Sequence, residues 1–116
     1  MFDVGDVFNF EIEYEDISNG SKIRSVIIVD RRENEIILVS TTSKGPKNPP
    51  SYFDRFKILI CNWRRIGFKE PSWAKGYRLI KLSEKELSNV VKNDLVGQLG
   101  ERDLAFLIGE IERIHN

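Results

Sequence analysis

The sequence predicts an α+β fold, mainly β: a small, strongly bent antiparallel sheet or barrel with a C-terminal α-helix packed on it. Three observations carry this. The first 42 residues hold three β-patterned runs joined by short polar connections, which is how an antiparallel meander begins. Residues 104–114 repeat aliphatic side chains at helical spacing. The chain has 116 residues, enough for one domain spanning 1–116, and its 41 % hydrophobic and 31 % charged content argues against a disordered chain.

Gly5 precedes the first strand. Phe8, Phe10, Ile12 and Tyr14 alternate there with Asn9, Glu11 and Glu13, predicting one apolar and one wet face. Ile17-Ser18-Asn19-Gly20 is expected to turn the chain, because Asn-Gly tolerates positive φ. Residues 22–30 form a second strand whose unbroken run Val26-Ile27-Ile28-Val29 predicts burial on both faces. Arg31-Arg32-Glu33-Asn34 is a polar hairpin connection, and residues 35–42 form the third strand. Residues 43–53, with three prolines and a glycine, are a loop.

Residues 54–61 are expected to form a strand, with Cys61 in the core because it follows Ile58-Leu59-Ile60. Asn62–Ile66 is a helical turn closed by Gly67, and residues 77–82 are a further strand. Ser83 and Glu86 have capping-box spacing, so a short helix begins there. The last helix starts at or beside Gly100, with Glu101 and Asp103 near the positive end of its dipole. Its stripe is Leu104, Leu107, Ile108, Ile111 and Ile114. Burying those five side chains contributes at most roughly 8–15 kcal/mol before entropy. Truncation before Leu104 is therefore expected to unfold the domain.

Composition narrows the function. No apolar run approaches the roughly 20 residues of a membrane span. Met1-Phe2-Asp3-Val4 has neither the basic nor the apolar region of a secretory signal, so a cytoplasmic protein with no membrane partner is expected. One cysteine excludes an intrachain disulfide framework and a Cys-rich zinc site. One histidine, His115, excludes a histidine pair for acid–base work. No ligand cluster has metal spacing and no Gly-rich phosphate motif or nucleophile elbow is present, so neither a metal nor another cofactor is expected.

The formal net charge is zero but unevenly spread. Residues 1–42 carry nine acids and four bases, −5. Residues 43–81 carry two acids and ten bases, +8, and residues 82–116 carry seven acids and four bases, −3. The basic third also holds seven of the twelve aromatic residues. Cations interleaved with rings suit a polyanion whose bases stack. Lys44, Lys47, Arg55 and Lys57 are candidate phosphate contacts, and Trp73 or Tyr52 candidate base-stacking rings.

Arg24 interrupts an apolar strand, and Thr41 and Thr42 end the next strand just before the basic loop. Counting from the hairpin connection places Arg24 and the threonine pair at the same end of that hairpin. Each has an ordinary explanation: β-propensity for the threonines, an edge salt bridge for the arginine. Together, beside a lysine-rich loop, they form a candidate site.

Four stretches give the chain a wider likeness. Gly5-Asp6-Val7 opens the first strand; Lys22-Ile23-Arg24-Ser25-Val26 lies in the second; Ser40-Thr41-Thr42-Ser43-Lys44 ends the third. Pro71-Ser72-Trp73 is followed by Gly97-Gln98-Leu99 and Asp103-Leu104. In order and spacing these resemble the MazF/PemK family of toxins from type II toxin–antitoxin modules. Ser25 stands where the family usually has proline.

The resemblance implies an SH3-like bent antiparallel barrel, usually a homodimer, held in check by a cognate antitoxin protein. It implies a metal-independent endoribonuclease, an mRNA interferase that cleaves single-stranded RNA sequence-specifically and arrests growth. The family's catalytic arginine maps onto Arg24 and its threonine onto Thr42, with Thr41 as the register alternative. Ser43 and Lys44 follow in the same motif as RNA contacts. Two other functions stay open on the same fold: a non-enzymatic toxin acting on a protein such as DNA gyrase, and an RNA-binding module without catalysis.

Overall fold

The computed structural model describes residues 2–13, 21–91 and 95–116; the turn expected at residues 17–20, and Tyr14, lie outside the described residues. Its architecture is α+β and mainly β. Six strands form one antiparallel sheet curled into a half-barrel, and a C-terminal helix packs on it. In chain order they are β1 (Asp6–Glu13), β2 (Ser21–Arg32), β3 (Glu35–Thr42), β4 (Lys57–Leu59), β5 (Trp73–Ser83) and β6 (Gly97–Gln98). Among the described residues three α-helices accompany them: α1 (Trp63–Ile66), α2 (Glu84–Val90) and α3 (Glu101–His115). The spatial order of strands is β4-β5-β3-β2-β1-β6.

The apolar runs of β2 and β3 are explained by two cores, one on each face of the sheet. Ile27 and Val29 of β2 join Ile37 and Val39 of β3 in the core under α3. Val26 and Ile28 join Ile36 and Leu38 in the core under α2. Alternate side chains of a strand point to opposite faces, so a strand between two cores is apolar at every position. The same holds where β1 begins. Val7 and Phe8 are both buried, one in each core.

Helix α3 places its stripe as its periodicity predicts. Leu107 and Ile111 are buried, and Leu104, Ile108 and Ile114 pack against the same core. Gly100 is its N-cap, with Glu101 and Asp103 in the first turn. At the end of β5, Ser83 accepts a hydrogen bond from the Glu86 N–H at 3.1 Å, and the Glu86 carboxylate accepts one from the Ser83 N–H at 2.9 Å. The capping box therefore starts α2 as expected. Arg31 ties α2 down through Glu84 at 3.0 Å.

Three expectations change. Residues 54–61 are not one strand: Phe53–Phe56 is a 3₁₀ turn and β4 is only Lys57–Leu59. Along that edge Ile58 and Ile60 face the core while Leu59 and Cys61 are exposed, so Cys61 is not a core residue. The strand expected at 77–82 starts earlier, at Trp73, because Ala74 and Trp73 pair with Thr41 and Thr42 across a bulge. Strand β6 was not expected; it closes the far edge by pairing Gly97 and Gln98 with Val7 and Asp6. Only glycine fits at Gly97, where an added Cβ would lie 1.6 Å from the Ile66 carbonyl oxygen.

Candidate active site

The β2–β3 register brings the sequence-predicted residues together. Val26 pairs with Ser40, and Phe8 and Phe10 of β1 pair with Val26 and Arg24. Arg24 therefore shares the face of Val26. Thr42, two residues beyond Ser40, has that same face at the same end of the sheet. Thr41 has the opposite face.

A cleft of about 450 Å³ opens at this end. Asn9, Arg24, Ser25, Thr41, Thr42 and Ser43, from three adjacent strands and the residue after them, line it. So do Gly67, Phe68, Lys69, Glu70 and Ser72, on the segment leading into β5, and Val96.

The two threonines differ chemically. The Thr41 hydroxyl donates to the Ser25 carbonyl at 2.9 Å, so its proton is used within the fold. The Thr42 hydroxyl oxygen accepts from the Lys44 N–H at 3.1 Å, leaving its proton to be given elsewhere. Ser25 donates its hydroxyl to Asn9 Oδ1 at 2.7 Å, a side-chain bond that a proline at this position could not make.

The remaining predicted contacts lie outside the cleft lining, around the loop after β3. The Lys57 ammonium contacts Asp54 at 2.9 Å and donates to the Lys44 carbonyl at 2.9 Å, with its side chain 14 % exposed. It holds the loop in place from inside. Asp54 gathers the loop further: Lys47 N–H donates to its carboxylate at 3.0 Å and Ser51 N–H at 2.8 Å. The Lys47 amide, the Lys57 ammonium and the Ser51 amide together hold this carboxyl well below the usual carboxylate range.

The same anchoring leaves the Lys44 and Lys47 side chains exposed on the loop. Arg55 lies over the Tyr52 ring at 5.0 Å. Trp73 is partly buried, with its ring against Gly45, where an added Cβ would approach it to 2.8 Å. That ring forms the underside of the loop.

Sequence reasoning missed Asn9, Phe68, Lys69 and Glu70. Asn9 was visible only as a polar position in an alternating strand. The other three immediately precede Pro71-Ser72-Trp73, a stretch already noted, and Ser72 is buried with its hydroxyl on the Glu70 carbonyl at 2.9 Å. Among the described residues no group of His, Cys, Asp and Glu is placed to hold a metal ion. No described helix is long and apolar enough to cross a membrane.

No family model matches the chain, and no curated protein matches it.

Proposed function

We propose that this chain is a metal-independent endoribonuclease of the MazF/PemK type, a toxin that cleaves single-stranded RNA such as mRNA. The observation that supports the reading best is the convergence of Arg24, Thr42 and Ser43 on one cleft beside a loop carrying Lys44 and Lys47. The sequence likeness supplies the direction of that reading. Within the reading, the shared face of Arg24 and Thr42 supports Thr42 as the reacting threonine over its register alternative Thr41, whose proton is used within the fold.

The chemistry asked of these groups is internal transfer. The RNA's own 2′-oxygen attacks the adjacent phosphorus, the bond to the 5′-oxygen breaks, and a 2′,3′-cyclic phosphate and a 5′-hydroxyl result. Arg24 offers paired N–H donors to the non-bridging oxygens as charge builds on them. Thr42 offers its hydroxyl proton to one of the same oxygens. Needing a 2′-hydroxyl makes RNA, and not DNA, the substrate. Lys44 and Lys47 meet flanking phosphates. A homodimer, a cognate antitoxin covering the basic side, and action in the cytoplasm belong to the same proposal.

The test is incubation of purified protein with a long single-stranded RNA in EDTA, followed by mapping of fragment ends. Discrete cuts ending in cyclic phosphate, lost in Arg24→Ala, are expected. Intact RNA with folded protein would overturn the assignment. Binding without cutting would identify a non-catalytic RNA-binding module instead.

A further inference from the structure

We propose that Glu70 is the general base of the site, the group that takes the proton from the attacking 2′-hydroxyl. The inference rests on the RNA-cleavage reading above and extends it to a residue that neither spacing nor motif had selected.

Internal attack requires a proton acceptor, and Arg24 is not one, because a guanidinium carries only N–H donors. The described residues lining the cleft can be taken in turn. Asn9, Ser25, Thr41, Thr42, Ser43 and Ser72 are neutral side chains with no useful basicity. Gly67, Phe68 and Val96 have no ionisable side chain. Lys69 and Arg24 are cations. Glu70 alone among them carries a carboxyl group, a side chain that can accept a proton.

Its placement suits the task. Glu70 lines the same cleft as Arg24 and Thr42, so a phosphate held by those residues shares that cavity with it. The Ser72 hydroxyl fixes the Glu70 backbone at its carbonyl and leaves the exposed carboxylate outside that bond. Arg24 of β2 and Lys69 of the same segment are the charged groups that line the cleft with it.

The step balances. Glu70 takes the 2′-hydroxyl proton as the 2′-oxygen to phosphorus bond forms. The 5′-oxygen leaves with the electron pair of the broken bond and takes a proton from water. The carboxylic acid then returns its proton to solvent.

The experiment is single-turnover cleavage of one short RNA in EDTA across pH, for the wild-type chain and Glu70→Gln, with binding read on the same strand carrying a 2′-deoxy sugar at the cut. The wild-type rate is expected to fall about tenfold per pH unit on the acid side as the carboxylate protonates. Glu70→Gln should lose about 100-fold or more at pH 7 and lose that acid limb. Binding of the 2′-deoxy strand should stay within about twofold, as a proton-transfer role requires. An acid limb kept in Glu70→Gln, or a loss matched by weaker binding, would overturn the assignment while leaving the ribonuclease intact. Absence of cleavage by the wild-type chain would remove both.

Discussion

Two neighbouring residues of the last helix test how the half-barrel is held together. Leu107 is 2 % exposed and seated in the core beneath α3; Phe106, the preceding residue and the larger one, is 50 % exposed. Leu107→Ala removes the equivalent of three methylenes from a packed site, a transfer loss of about 2.4 kcal/mol at ~0.8 kcal/mol each. The cavity left behind raises this to about 3 kcal/mol or more. At this chain length that lowers the thermal midpoint by roughly 12 °C. Phe106→Ala exposes no core and should cost about 1 kcal/mol or less. Urea unfolding followed by circular dichroism reads both variants, with the m-value checked for constancy. Equal losses in the two, or a Leu107→Ala loss under about 1 kcal/mol, would refute the packing of α3 on the sheet.

Other perturbations follow from single contacts. Gly97→Ala should destabilise the chain by about 3 kcal/mol, because the new Cβ meets the Ile66 carbonyl and no side chain can move aside; Gly100→Ala, with nothing within 4 Å, is the near-neutral control in the same urea series. Ser83→Ala should cost about 1 kcal/mol through the lost cap and raise amide exchange in the first turn of α2, Glu86 above all. The lowered Asp54 carboxyl makes the loop acid-sensitive: its stabilisation is present above the ordinary value of 3.8 and is lost as pH falls below it towards the folded value. Amide exchange at Lys47 and Ser51, corrected for intrinsic rates, should show protection at pH 6 that declines below about pH 4, and Asp54→Asn should weaken it at pH 6. Unchanged protection in that variant would contradict the anchor.

Features set by residues close in sequence were legible. The α3 stripe and the Ser83–Glu86 box are local patterns with local physics, and both stand where the spacing puts them. The hairpin count brought Arg24 and the threonine pair to one end because a two-stranded register follows from its connection. Features set by distant partners were not legible. Strand β6 is two residues long and exists through its bonds to β1. The start of β5 at Trp73 depends on the end of β3. Residues 53–56 coil instead of extending because Asp54 turns inward to collect amides from the loop before it. Cys61 misled because an apolar run hides the two-residue alternation that puts it outside. Glu70 has no motif of its own; the chain between α1 and β5 carries it across to the strand ends.

The strand order has a consequence for synthesis. Arg24 and Thr42 leave the ribosome early, yet the rest of their cleft includes Gly67, Phe68, Lys69, Glu70, Ser72 and Val96. The sheet edges on either side are set by β5 and β6, and α3 covers one core only after both. A nascent or prematurely terminated chain thus carries Arg24 and Thr42 without the rest of the cleft they line. If the pair cleaves RNA, the message being translated at that moment is spared until nearly the whole polypeptide is finished. On the proposed reading, topology alone withholds the activity until then.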